Sequence, residues 1–133
     1  MRAGIERALA ALAWGRIGLG VAARAAPRTV TGAFGAADAA SPELDYMNRV
    51  FGARAFALGT GYLLSAGDAR RLWQRLAFVC DVSDTIAGLG HLRRRDLPLA
   101  PALAATVLTG SYMLVGAAKL AADSRPEAAA GNL

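Results

Sequence analysis

The strongest constraint on the fold is a pair of carboxylates inside an apolar run. Residues 76–92 read LAFVCDVSDTIAGLGHL, and this run contains Asp81 and Asp84. At about 100° per residue, the spacing of three puts both carboxylates on one face of a helix. A carboxylate in such a helix is costly unless a cation compensates it, so other apolar segments should supply partners. Arg16 and Arg54 are the candidates, because each interrupts an apolar segment.

The composition indicates one domain and suggests a membrane protein, but it does not by itself decide between a membrane protein and a soluble one. Hydrophobic residues make up 55% of the 133-residue chain, which is high for a soluble protein of this size. The abundance of Ala and Gly is typical of closely packed membrane helices, although GC-rich coding gives soluble proteins a similar bias. The net charge of +5 fits anionic lipid headgroups better than nucleic acid, because no basic motif with interleaved aromatic residues is present.

Residues 99–118 are the clearest candidate membrane span. They are 20 consecutive residues without a charge, about 30 Å of helix, which matches a bilayer core. Residues 1–26 begin like a signal peptide, but Arg16 would break its apolar core, so we expect a retained first helix. Ser41 followed by Pro42, with acidic residues in the next turn, predicts the start of a second helix.

These patterns predict an all-α fold, a four-helix transmembrane bundle connected up-down-up-down. A loop is expected over 27–45, with a short turn on the membrane surface at 28–35. A soluble bundle is the rival, because only the last segment is free of charge. The helices are expected near residues 5–26, 42–65, 70–91 and 98–121.

The predicted membrane domain comprises residues 1–122, and the small, polar tail at 123–133 is expected to be disordered. We expect a multi-pass protein of the cell membrane whose partners are the lipid bilayer and a lipophilic small molecule, with homo-oligomers as a further option. Nucleic acid is not expected as a partner. The positive-inside rule favours cytoplasmic termini, because slightly more basic residues lie on that side.

The charged residues of the interior allow two interpretations. Arg16, Arg54 and Asp81 fall near the middle of their helices, and Asp84 lies one turn further along, so two cations face two carboxylates. The cluster can simply fix helix register, as buried ion pairs often do. Alternatively, two carboxylates beside a cation can differ in pKa, so that one acts as acid and the other as base. Such a site could open an epoxide or catalyse an isomerisation.

The candidate site residues follow from these interpretations. His91 is either an interfacial residue or a proton relay, and the tyrosines either fill the core or donate to a bound oxygen atom. The candidate catalytic residues are Asp81, Asp84 and Arg54, and the candidate substrate-binding residues are Arg16, Arg49, Tyr62, Tyr112 and His91.

The sequence gives no reason to expect a metal or a cofactor. His91 is the only histidine, and Cys80, Asp81 and Asp84 do not form a known ligand spacing. The chain has no phosphate loop, and its Gly-x-Gly pairs lack the third glycine and the strand of a dinucleotide site.

Several short motifs resemble a known family. They are Phe51-Gly52-Ala53-Arg54 with Ala57-Leu58-Gly59, Asp81-Val-Ser-Asp84, and Arg16-Ile-Gly-Leu-Gly20 with Ala26-Pro27-Arg28. Together they resemble a group of small actinobacterial four-helix integral membrane proteins, a domain-of-unknown-function family distantly similar to DoxX-like membrane proteins. The likeness covers residues 10–118. It implies the four-helix fold and the positions of the Arg and Asp residues, but it supplies no reaction.

Two functions follow from the cluster. The protein either binds and processes a lipophilic small molecule beside Arg54, Asp81 and Asp84, or it is a non-catalytic helper or assembly subunit whose charged core is structural. A proton-coupled transporter ranks below both, because four helices would need to oligomerise to enclose a path. A cavity on the order of a few hundred Å³ touching these side chains favours the first function, and a filled interior favours the second.

Overall fold

The structure, a computed structural model, describes residues 1–124 and is all-helical over that range, which confirms the predicted all-α class. The four long helices lie within three residues of their predicted ends. The elements in chain order are α1 (Arg2–Ala25), α2 (Pro27–Ala33), a short 3-10 helix (Ala37–Ala39), α3 (Pro42–Leu64), α4 (Gly67–Arg94) and α5 (Leu99–Ser124).

The start of α3 is set by the predicted capping residues. The Ser41 hydroxyl accepts a hydrogen bond from the Leu44 backbone N–H at 3.2 Å, and Pro42 occupies the first position of the helix. Glu43 and Asp45 lie in the first turn, where carboxylates oppose the positive end of the helix dipole.

The segment expected as a loop contains α2 and the 3-10 helix instead. Pro27 suits the first position of a helix, and Val30 and Thr31 are buried. The Asn48 side chain of α3 donates to Thr31 Oγ1 at 2.8 Å, which ties α2 to α3. Burial against α3 therefore supports a helix that is too short to be predicted from its own periodicity.

The four long helices form a closed ring of contacts. Helix α1 packs against α3 and α5, and α4 packs against the same two helices. Helices α1 and α3 approach closely at Gly20 and Gly52, where a Cβ atom on either glycine would meet the backbone carbonyl oxygen of the other. These glycines let the two backbones touch, as small residues do in membrane helix pairs.

Small and polar side chains fill the interior, and large apolar side chains point outward. Among residues 1–124, no large side chain is fully buried. Leu9, Leu58, Tyr62 and Tyr112 are the largest buried apolar side chains, whereas large apolar residues are usually among the most buried in water-soluble proteins. Half of the buried apolar residues are alanines, and the buried polar or charged residues are Thr31, Gln74, Asp81, Thr85 and Thr106. The outward apolar residues include five that are between 62% and 66% exposed: Trp14, Val79, Ile86, Val107 and Leu114.

Two helices are long and apolar enough to cross a membrane by length and composition. They are Ala3–Ala25 within α1 and Leu99–Ser124, which is α5. Helix α3 contains Arg54 and α4 contains Asp81 and Asp84, and neither helix meets the same criterion. The structure therefore contains two apolar helices of spanning length, where four spans were predicted.

The C-terminal boundary differs slightly from the predicted one. Helix α5 continues through Asp123 and Ser124, two residues past the predicted end of the domain at 122. The rest of the predicted disordered tail, 125–133, lies outside the described residues.

Replacing Gly52 by Ala should destabilise the fold. The added Cβ would meet the Gly20 carbonyl oxygen and the Arg24 backbone nitrogen, so α1 and α3 must separate, at a cost of about 1–3 kcal/mol. Gly18→Ala is the matched control, because no atom lies within 4 Å of its Cβ position, and the better helix propensity of Ala should leave stability unchanged or raised. Thermal unfolding followed by circular dichroism measures both. Equal stability of the two variants would contradict the close approach at Gly52.

Candidate functional site

The Arg16–Asp81 ion pair crosses the interior of the helix ring. Arg16 of α1 donates through Nη2 to Oδ2 of Asp81 on α4 at 2.5 Å, and the two side chains are 14% and 5% exposed. The Arg16 guanidinium also lies over the Tyr112 ring of α5, with Cζ 4.4 Å from the ring centroid. One arginine therefore ties together three helices, including α1 and α4, which are not neighbours in the ring.

Threonines surround the backbone of the central carboxylate. Thr85 Oγ1 donates to the Asp81 carbonyl oxygen at 2.6 Å and lies 3.1 Å from Thr109 Oγ1 on α5. Thr106 donates to the Ala102 carbonyl oxygen at 2.7 Å. These hydroxyls meet their hydrogen-bonding needs within the bundle, as buried polar groups must.

A second ion pair joins α3 and α4 in a more open position. Arg54 Nη2 donates to Asp84 Oδ2 at 2.5 Å, and the side chains are 42% and 28% exposed. The Arg54 guanidinium also lies 5.6 Å from the centroid of the Phe51 ring. The structure thus brings the four predicted charged residues together as two separate pairs.

The space around the ion pairs is small. A cavity of about 30 Å³ touches Arg16, Asp81, Tyr62 and Gln74, and a second of about 20 Å³ touches both ion pairs. One water molecule needs about 10–15 Å³ measured in this way, so each cavity has room for one or two. The interior at the cluster is therefore nearly filled.

A larger pocket lies beside the cluster, between α2, α3 and α5, and we call it the apolar pocket. Its volume is about 240 Å³, and it shares three wall residues with the 20 Å³ cavity. The shared residues are Phe51, Leu108 and Thr109, and the other lining residues include Val30, Phe34, Leu44, Pro101 and Ala105.

Asn48 supplies the main polar group of the apolar pocket. Its Nδ2 donates to Thr31 Oγ1 at 2.8 Å and lies 3.4 Å from the Pro27 carbonyl oxygen. No donor within residues 1–124 bonds to its Oδ1. The pocket therefore presents a carbonyl oxygen that can accept a hydrogen bond.

The two predicted tyrosines occupy different places. Tyr112 lies under Arg16 and lines the 20 Å³ cavity, as its candidate role required. Tyr62 lines the 30 Å³ cavity, but its hydroxyl is directed away from the ion pair and donates to Glu6 Oε2 at 3.3 Å. Tyr62 thus contributes its ring to the cluster and its hydroxyl to another site.

Arg49 and His91, two of the candidate substrate-binding residues, lie away from the cluster. Arg49 is exposed and lines a separate surface pocket with Asp45. It precedes Arg54 by five residues, which turns it about 140° around α3. His91 Nδ1 lies 2.7 Å from Asp96 Oδ1 at the end of α4, ten residues or about 15 Å from Asp81.

The sequence reasoning missed Gln74, which is 5% exposed and lines the 30 Å³ cavity with Asp81. The helical spacing in the sequence could have identified it, because Gln74 precedes Asp81 by two helical turns and therefore shares its face.

No group of three His, Cys, Asp or Glu side chains that could hold a metal ion occurs within residues 1–124.

Asp81→Asn should destabilise the protein by about 3–5 kcal/mol, because it leaves Arg16 without a countercharge in the interior. Asp84→Asn breaks the more open pair and should lower the free energy of unfolding by about 1 kcal/mol or less. Denaturant unfolding of the purified variants measures this free energy for both. The double variant Arg16→Met with Asp81→Leu removes both charges and should be more stable than Asp81→Asn alone. Unchanged stability of Asp81→Asn would contradict the ion pair and indicate a carboxyl group held protonated.

The contacts of Asp96 predict a pH dependence. Hydrogen bonds from Arg94 and then His91 lower the pKa of Asp96 to about 2. Because the unfolded value is about 3.9, the contribution of this carboxylate is complete above that pH and is lost as the pH falls through about 2. Wild type should therefore lose more stability between these pH values than Asp96→Asn does, as Tm measured against pH will show. Asp38→Asn, at an exposed position, is the control, and its Tm should change with pH as that of wild type does. If the Tm of Asp96→Asn also changed with pH as in wild type, the contacts of Asp96 would be contradicted.

No protein family, curated protein or solved structure matches this chain. The resemblance to small actinobacterial four-helix membrane proteins therefore stays a prediction.

Proposed function

We propose that the protein is a multi-pass protein of the cell membrane, with α1, α3, α4 and α5 forming an up-down-up-down four-helix transmembrane bundle. The single observation that carries this proposal is the outward position of the large apolar side chains, because a bilayer solvates such a surface and water does not. The lengths of α3 and α4, 23 and 28 residues, are also sufficient to span a bilayer core of about 30 Å.

The direction of the helices has its own support. Side chains from the starts of α1 and α4 and from the ends of α3 and α5 line one cleft: Glu6, Arg70, Tyr62 and Lys119. Residues from the starts of α3 and α5, such as Leu44 and Pro101, line the apolar pocket together. Alternating directions of the four long helices account for both groupings.

The membrane proposal predicts how the expressed protein partitions. Because its apolar side chains face outward, the protein should remain with the membrane pellet after an alkaline carbonate wash and should need detergent for extraction. Recovery of folded protein from the aqueous phase without detergent would contradict the proposal and favour a soluble bundle.

Within this bundle we infer that the apolar pocket binds a lipophilic small molecule. Its volume of about 240 Å³ is near the lower end of small-molecule sites, roughly 300 Å³, and its walls are mainly apolar. The free acceptor on Asn48 favours a ligand with one hydroxyl or amine donor. The two ion pairs then serve to fix the orientation of α4 relative to α1 and α3, since each carboxylate is already bound to its own arginine.

Acid/base processing of the ligand is the second candidate, and the wall shared by the apolar pocket and the 20 Å³ cavity favours it. A ligand that displaced Phe51 or Leu108 would reach Asp84, the more exposed carboxylate. In an epoxide opening, one of the two carboxyl groups would give its proton to the epoxide oxygen as the C–O bond breaks. Water would attack the carbon, and the other group, as a carboxylate, would take the proton that the water loses. A non-catalytic helper subunit, alone or as a homo-oligomer, is the alternative if the pocket holds no ligand.

Filling the apolar pocket should expel its ligand. Ala105 lines the pocket and the neighbouring Ala104 does not, so Ala105→Phe should lower the amount of bound small molecule and Ala104→Phe should leave it unchanged. Mass spectrometry of extracts from protein purified in detergent measures the ligand. No retained molecule in wild type, or equal retention in both variants, would contradict ligand binding and favour the helper function.

Asp84→Asn separates binding from chemistry in the same extracts. If the pocket only binds, Asp84→Asn and wild type should retain the same molecule. If Asp84 is an acid or base, Asp84→Asn should retain a different molecule, the unprocessed substrate.

A further inference from the structure

A polar cleft of about 720 Å³ opens at the end of the bundle opposite the apolar pocket. The first two turns of α4 form one wall of this polar cleft, with Gly67, Gln74 and three arginines. Glu6 of α1 and Lys119 of α5 face them from the other wall. None of the functions argued above uses this cleft.

The acidic groups of the polar cleft are already paired. Lys119 Nζ lies 3.1 Å from Glu6 Oε1 and 2.5 Å from Asp123 Oδ1, and the Tyr62 hydroxyl donates to the other oxygen of Glu6. Lys119 offsets only one of these two carboxylates, so the wall formed by α1 and α5 carries a net charge of −1. The positive charge of the cleft therefore lies on the α4 wall, where Arg70, Arg71 and Arg75 face the single carboxylate of Asp68.

The α4 wall carries hydrogen-bond donors without partners. Gln74 is 5% exposed, yet its Nε2 has no hydrogen-bond partner, although buried donors are almost always satisfied. Arg75 lies within ion-pair distance of no carboxylate in residues 1–124. Arg70 uses only Nε, in a hydrogen bond to the Ser65 carbonyl oxygen at 2.7 Å. All three side chains line the polar cleft.

The N-terminus of α4 adds further donors. No side chain caps the helix, since Ala66 occupies the capping position. The first-turn carboxylate, Asp68, is 92% exposed and pairs with Arg71 instead. Gly67, the first residue of the helix, has a φ of +54°, lines the cleft, and has no atom within 4 Å of the position its Cβ would take. The positive end of a 28-residue helix therefore faces the cleft uncapped.

We propose that the polar cleft is a binding site for a phosphate group, carried by a phospholipid headgroup. Arg70 and Arg75 give charge-assisted hydrogen bonds to its oxygens, Gln74 gives the buried donor, and the start of α4 gives backbone N–H groups. The position of the cleft at the end of the bundle places it at headgroup level. The lipid as source rests on the proposed membrane insertion, whereas the phosphate chemistry does not.

Titration of the purified protein with three probes tests the site and its source. The probes are dioctanoyl phosphatidylglycerol, glycerol 1-phosphate and the uncharged dioctanoylglycerol. We expect wild type to bind the phospholipid and not the uncharged lipid. Binding of glycerol 1-phosphate as tight as that of the phospholipid would support the site with a free phosphate as its ligand, and would do so even if the protein proved to be soluble.

Matched variants assign the site to residues. Arg75→Gln and Gln74→Leu should each weaken phospholipid binding about tenfold or more, because each removes one donor to an anion. Arg93→Gln is the control, since it removes the same charge from an exposed position at the other end of α4 and should bind like wild type. Gln74→Glu tests the position if Gln74→Leu unfolds, and its added negative charge should abolish binding.

Three results would overturn the proposal. They are the absence of binding of both phosphate probes, equal binding of the uncharged lipid, and an equal loss of affinity in Arg75→Gln and Arg93→Gln. The last result would mean that net charge alone attracts the anion.

Discussion

One ion pair across the interior determines how the helices can pack. Arg16 and Asp81 belong to α1 and α4, which contact α3 and α5 but are not neighbours of each other. Two charged groups in so small an interior are tolerated only as a close pair with further contacts, here the Tyr112 ring beside Arg16. The pair therefore fixes the rotation of α1 and α4 about their axes, and with it the outward faces of both helices.

The small interior follows from that pair. Its side chains meet only if the surrounding helices lie close together, which Gly20 and Gly52 allow between α1 and α3. Close packing leaves cavities of only water size at the cluster and moves the larger spaces to the ends of the bundle. The apolar pocket and the polar cleft then lie on opposite sides of the charged layer, so the two ends of the bundle differ in their chemistry.

The sequence predicted the parts of this arrangement that depend on periodicity and charge. The helix positions, the Ser41 cap and the four charged residues were all predictable, because an ion in an apolar segment needs a countercharge. The choice of partners, Arg16 with Asp81 and Arg54 with Asp84, depends on how the helices rotate against each other, which periodicity does not specify. Arg49 lies on the other side of α3 for the same reason, and α2 depends on burial by a neighbour. The polar cleft was not predictable, since it combines residues from four helix ends.

The most direct test of the account is whether lipid covers the outer face of α4, the helix whose carboxylates put its crossing of a membrane in question. Cys80 is the only cysteine, so a Cys80→Ser background allows nitroxide labels at Val79→Cys and Ile86→Cys, both 64% exposed, and at Asp38→Cys as an aqueous control. Collision rates with oxygen and with a charged nickel chelate are then measured by electron paramagnetic resonance in liposomes. The account predicts frequent collisions with oxygen and few with nickel at both α4 positions, and the reverse at the control. Nickel reaching Val79→Cys and Ile86→Cys as readily as Asp38→Cys would contradict it.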